Sequence, residues 1–189
     1  MRRHSTANTL VAALLAGIAV MSPATGCAPR DPLPPLASPR ILVEKRARRL
    51  TLLDAATPVR TYHVALGDSS LGDKQREGDR RTPVGEFYVC VKNPDSRFHL
   101  SLGLSYPNEE DAERGLRDGL ISQAEHDAIV AAVRAGRRPP WDTALGGEIM
   151  IHGNGAGRDW TFGCIALDDA DIDEIYDAVG LGTAVEVRE

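Results

Sequence analysis

The run Ile149-Met150-Ile151-His152-Gly153 ends in a histidine, and twelve positions after that histidine Cys164 opens a second run, Cys164-Ile165-Ala166-Leu167. Between them, Asn154-Gly155-Ala156-Gly157 is able to reverse the chain and bring the two side chains together. Runs this short and this apolar, bounded by glycine, read as buried strands. Similar runs recur at both ends of the chain: Ile41–Glu44 and Arg49–Leu53 across a basic turn, then Thr61–Leu66, Glu86–Val91 and Ala184–Val187. A mainly β (α+β) domain is expected.

The middle and the end carry a helical period instead. Glu109–Gly119 and Ser122–Gly136 read as helices, the second opened by a Ser122/Glu125 capping box and closed by Gly136. Ile129, Val130 and Val133 lie on one face of it. Residues 107–147 are therefore read as a helical insertion. A last helix is expected over Asp168–Val179, with Asp168 and Asp169 capping it, Ile172, Ile175, Tyr176 and Val179 on its apolar face, and Gly180 ending it.

A thiolate is the strongest common side-chain nucleophile, and an imidazole beside it can take its proton or pair with it as a cation. Cys164 is thus the candidate nucleophile and His152 its partner. Gly163 permits a tight backbone able to aim N–H groups at a developing oxyanion. Thr161 either bonds near the sulfur or fixes the loop. Asp159 is available to orient His152, and a backbone carbonyl would serve equally.

His152-Gly153 followed by Thr161-x-Gly163-Cys164 resembles the signature of the L,D-transpeptidase (YkuD-type) catalytic domain family. Arg81-Thr82-Pro83-x-Gly85-Glu86-Phe87 resembles that family's upstream motif. Gly72-x-Lys74-Gln75-Arg76-x-Gly78-Asp79 and Pro94-Asp95-Ser96-Arg97 are similar to one branch, whose known member detaches murein lipoprotein from peptidoglycan. The likeness runs over about residues 40 to 188. It implies a β-sandwich-like catalytic domain of mixed sheets with few helices, here with the helical insertion and the C-terminal helix. It also implies a cofactor-free, cysteine-dependent acyl transfer on peptidoglycan stem peptides through a thioester.

In that scheme Cys164 and His152 are catalytic, and the backbone of Gly163, Cys164 and Gly153 lines the oxyanion site. One position departs from the family pattern: its frequent arginine two places after the cysteine is Ala166 here. Arg158, Lys74, Arg76 and Arg80 are the candidates to grip a substrate carboxylate instead. Three functions stay open: a transpeptidase that cross-links the wall or tethers a protein to it, a hydrolase that trims cross-links or releases a wall-bound lipoprotein, and a non-catalytic wall-binding lipoprotein.

The N-terminus places such a protein outside the cytoplasm. Arg2 and Arg3 precede an apolar stretch from Leu10 to Val20, too short to span a bilayer as a finished helix, so residues 1–26 are expected to be a signal peptide. Ala24-Thr25-Gly26-Cys27 resembles a bacterial lipobox, which would lipidate Cys27 and anchor the protein to a membrane. Ala28 directly after it, in place of an aspartate, resembles outer-membrane sorting wherever an outer membrane exists. Five prolines in residues 28–39 make residues 27–39 a spacer of about 3.1 Å per residue. Residues 40–189 are then one catalytic domain in the periplasm or cell envelope.

With 22 Lys+Arg against 27 Asp+Glu the chain has a net charge of −5, and removing the leader takes away cations only. That balance argues against nucleic acid. No metal is expected, because His63, His99, His126, His152 and Cys164 are scattered with neither CxxC nor HExxH. A Cys90–Cys164 disulfide would disable the site, and Cys90 reads as a buried strand cysteine.

Overall fold

The computed structural model describes residue 1 and residues 30–69 and 71–189; the expected signal peptide, Cys27 and the start of the spacer lie outside them. The chain divides after Pro32, and the larger unit, Leu33–Glu189, holds every strand and helix discussed below. Its strands are β1 (Pro39–Glu44), β2 (Arg49–Asp54), β3 (Thr57–His63), β4 (Gly85–Ser96), β5 (His99–Leu104), β6 (Met150–His152), β7 (Ile165–Ala166) and β8 (Ala184–Arg188). Its helices are α1 (Glu109–Arg117), α2 (Gln123–Arg134) and α3 (Asp169–Ala178). The expected mainly β architecture with two central helices and a C-terminal one is what forms.

The strands make one mixed sheet in the order β3-β2-β1-β8-β4-β5-β6-β7. Two features curl it. β4 is twelve residues long; its first half pairs with β8 and its second with β5, with register shifts between Val89 and Val91 and between Asn93 and Ser96. Such irregularities bend a strand and increase its twist. The two ends of the sheet then meet: Ala65, just past β3, pairs antiparallel with Ala166 of β7 through two backbone bonds of 2.9 and 2.8 Å, and Gly67 bridges Thr161. Gly67 has to be glycine, because a Cβ there would sit 1.9 Å from the Arg80 carbonyl oxygen.

Alternation along each strand sorts the residues. Ile41, Val43, Leu50, Leu52, Phe87, Val89, Leu102, Leu104, Ile151, Ile165, Val185 and Val187 turn into one core, closed by Ile172 and Ile175 of α3. α1 and α2 pack around a separate small core of Ala112, Ile121, Ile129 and Leu145. Asn108/Asp111 and Ser122/Glu125 both form reciprocal capping boxes, and Gly136 takes φ +63° after the second helix.

Three local expectations are revised. β6 and β7 run parallel, with Ile151 opposite Ile165 and His152 opposite Ala166. A single reversal would make them antiparallel; instead residues 153–164 carry the chain back to the start of β6, the length a parallel connection requires. β5 has no counterpart among the expected strands, although Leu100, Leu102 and Leu104 alternate along it with Ser101 and Gly103. The α3 carboxylates do not cap by side chain: Asp168 accepts from Ala156 N at 3.1 Å and Asp169 from Asn154 N at 2.7 Å, so both hold the glycine-rich loop.

Candidate active site

Because Ile151 and Ile165 face the core opposite one another, Met150, His152, Cys164 and Ala166 all lie on the other face. Strand spacing of about 4.8 Å and a rise of about 3.3 Å per residue separate His152 and Cys164 by roughly 8 Å between α-carbons. Ser101 pairs with His152 and Gly103 with Met150 across β5–β6, extending the same face. A cavity of about 470 Å³ opens there, lined among others by Lys74, Glu148, Met150, His152, Phe162 and Cys164. Gly103 packs tightly behind Met150, since a Cβ there would press on Val91, Trp141 and Met150 at 3.0–3.2 Å.

His152 is 2% exposed. Its Nδ1 lies 2.8 Å from the Gly153 carbonyl oxygen. A carbonyl only accepts, so Nδ1 carries the proton and Nε2 is the basic nitrogen of the neutral ring. Phe98, at the β4–β5 turn, stacks on the imidazole at 4.7 Å between centroids, and Trp160 meets it edge-on at 5.6 Å. Burial pulls the imidazole below its ordinary value of 6.5, and the bond to Gly153 only partly opposes this. The ring is therefore held neutral in a fixed orientation.

Cys164 is a free thiol, as is Cys90. Its sulfur accepts from Met150 N at 3.4 Å and donates toward the Glu148 carbonyl at 3.5 Å. Burial raises its pKa, while the Met150 N–H and the Lys74 charge pull it down and Glu148 pushes it up. Burial pushes the Cys90 thiol up as well, to about 11.

The loop before Cys164 is braced rather than open. Thr161 is 3% exposed; its Oγ1 donates to the Cys164 carbonyl at 2.7 Å and accepts from Gly163 N at 3.2 Å. Of its two expected roles, it takes that of fixing the loop. Gly163 has φ +125°, and a Cβ there would lie 2.7 Å from the Arg81 carbonyl oxygen. Gly163 N is committed to Thr161, and Gly153 N donates to the carbonyls of Phe98 at 2.9 Å and Leu100 at 3.3 Å. The Cys164 N–H is the member of the expected oxyanion trio that makes no such bond among the described residues. Asp159 is engaged by Arg48 at 2.6 Å and by Leu66 N at 2.9 Å, so the Gly153 carbonyl orients His152.

The four candidate cations separate. Lys74 lines the cavity. Arg76 borders a different hollow beside Asp118, and Arg158 a third beside Asn154. Arg80 pairs with Asp68 at 2.6 Å and lies over the exposed ring of Phe162 at 4.9 Å, at the rim. Ala166 is fully buried against Ala65 and Ala156 under Trp160, which leaves no room for an arginine side chain. Phe98, Ser101, Glu148, Trp160 and Phe162 were not anticipated. A signal existed for the aromatics: the chain has only three Phe and two Trp, and Trp160 and Phe162 flank Thr161. Backbone strain marks another of these residues, since Glu148, on the cavity wall, has φ +52°.

The family model for the L,D-transpeptidase catalytic domain, YkuD, matches residues 38–187. YafK of Escherichia coli (strain K12), which bears an L,D-transpeptidase name, is 28% identical over 141 residues, covering 73% of this chain and 42% of that protein. This chain thus spans less than half the length of the curated relative it matches. Among solved structures, the helical cell shape determining protein Pgp2 from Campylobacter jejuni superposes with a TM-score of 0.55 at 22% identity, over 84% of this chain and 50% of that one. Bdellovibrio bacteriovorus Bd1075 superposes with a TM-score of 0.52 at 18% identity, over 81% and 48%. At those identities the two structures establish the shared fold.

Proposed function

This chain belongs to the YkuD family of L,D-transpeptidase catalytic domains, and on that premise we propose that it is a cysteine acyltransferase acting on peptidoglycan stem peptides. The observation that carries the reading is the placement of Cys164, directly before β7, and a neutral, orientation-locked His152 of the adjacent β6 on one cavity wall.

The thiol passes its proton to His152 Nε2, and the sulfur attacks the carbonyl at the L-centre of the third stem residue. The tetrahedral oxyanion takes the Cys164 N–H, a contribution of about 3 kcal/mol for a well-aimed donor. The imidazolium returns its proton to the departing D-Ala amine as the C–N bond breaks, leaving a thioester. An acceptor amine then attacks the thioester, His152 takes the amine proton, and the C–S bond breaks to give a new amide and the free thiol. The products are a cross-link or a protein tethered to the wall.

Water can resolve the same thioester, which makes the protein a hydrolase. One observation favours this second reading: Lys74, Asp95, Ser96 and Arg97, from the segments that resemble the lipoprotein-releasing branch, line the cavity. Incubating the protein with disaccharide-tetrapeptides separates the outcomes. Dimers with released D-Ala support transfer; disaccharide-tripeptides and free D-Ala without new cross-links support hydrolysis. Cys164→Ala abolishes either. Unchanged wall binding and an unchanged muropeptide profile with that variant overturn the enzyme reading in favour of a wall-binding module. Export and lipidation at Cys27 belong to the same proposal, and an intact mass from isolated membranes, heavier by the acyl chains, tests them.

A further inference from the structure

Lys74 is 1% exposed, yet it borders the cavity that contains Cys164. A lysine so fully enclosed is rare and carries its desolvation only because partners hold it. Its Nζ donates to the Arg76 carbonyl at 3.0 Å and to Asp79 Oδ1 at 2.9 Å, and it lies 5.9 Å above the Tyr106 ring. Asp79 is itself heavily committed. Burial pushes its carboxyl up, but bonds from Gln75 N, Arg81 N, Lys74 and Arg76 N outweigh that and leave it below the ordinary value. Its carboxylate is spent on those donors, and of the pair it is Lys74 that lines the cavity.

We propose that Lys74 is a positioning residue whose ammonium field stabilises the Cys164 thiolate as it forms, and that it does not grip substrate. Two of its three N–H donors are already used, and its side chain is 2% exposed, so a substrate carboxylate has little of it to reach. The other charged or titratable groups on the cavity wall are Glu77, Asp95, Arg97, Glu148 and His152. Glu148 opposes the thiolate and Lys74 favours it. On ionisation the S–H bond breaks, the proton goes to His152 Nε2, and the electron pair stays on sulfur in the field of Lys74. The low dielectric of an enclosed site strengthens that field. The proposal rests on the reading of Cys164 as nucleophile, but not on the identity of the acyl donor.

Its first test therefore uses no substrate. Iodoacetamide alkylation of Cys164 in the full chain, followed by peptide mass so that Cys90 is scored separately, gives a pH midpoint for thiolate formation. Lys74→Met is expected to raise that midpoint by about one unit, slowing alkylation below it roughly tenfold, as the thiolate fraction dictates. Lys74→Arg keeps it near wild type. Asp79→Asn removes the opposing charge and lowers it, which decides the matter even where Lys74→Met fails to fold. A midpoint unmoved in folded Lys74→Met or in Asp79→Asn overturns the proposal. So does a rise in KM at every pH with an unmoved midpoint, the mark of a carboxylate clamp. If the midpoints shift as expected while stem peptides are left untouched, this inference stands and the acyltransferase reading falls.

Discussion

His152 shows how burial by neighbours sets chemistry at a single residue. Phe98 and Trp160 exclude water from the ring, and the Gly153 carbonyl selects its tautomer. A depressed imidazole pKa stays deprotonated until the pH falls below its ordinary value of 6.5, so the acid limb of kcat/KM is expected below that value. In Phe98→Ala the ring regains water and its pKa rises toward 6.5. The acid limb should move to higher pH, with activity at pH 6 down about threefold relative to its own plateau. A pH–rate profile of the two proteins checks this. Neither aromatic is tied to His152 by any sequence period, because Phe98 arrives from a different hairpin. Cys164, His152 and Gly163 were legible, because tight turns and nucleophile chemistry restrict residue type at adjacent positions.

At the level of elements, capping was readable where it is local and misread where it is not. Ser122/Glu125 is a three-residue reciprocal pair, so its geometry follows from the helix itself. Ser122→Ala should lower stability by about 1 kcal/mol and Tm by about 2–4 °C, with activity unchanged. Thermal melts beside product assays decide it. Asp168 and Asp169 have the same local signature, but the loop after His152 presents competing N–H donors and takes both carboxylates. The missing Cβ of Gly153 admits this contact: a Cβ would stand 2.5 Å from Asp169 Oδ1. Asp169→Ala should therefore lower kcat/KM about tenfold while costing only about 1 kcal/mol of stability for an exposed bond. An equal loss of both would mean that Asp169 serves α3 rather than the loop.

The whole molecule is a sheet curled until its ends touch, and the site lies beside that seam. Ala65, Ala156 and Ala166 are small because Trp160 and two strand edges converge on them. Ala166→Arg, which restores the residue frequent in the family, would put a charge and a long side chain into a closed space. Overpacking and an unpaired buried cation together cost several kcal/mol. A Tm drop of more than about 8 °C is expected, against a small change if the position opened to solvent. The absence of that arginine is thus explained by the packing of the seam.

Residue order alone determined the mainly β class, the helices between residues 107 and 147, the apolar face of α3 and which thiol and imidazole are the candidates, because each rests on short-range periodicity or on the chemistry of adjacent residues. Tertiary structure decided what depends on distant segments meeting. β6 and β7 run parallel because the sheet closes through Ala65. Lys74 lines the cavity that holds the sulfur, while Arg76 and Arg158 border other hollows and Arg80 pairs with Asp68. Two aromatics from separate loops enclose the imidazole. Curling a sheet brings together residues whose separation along the chain carries no period, and burial there sets the proton affinities of the site.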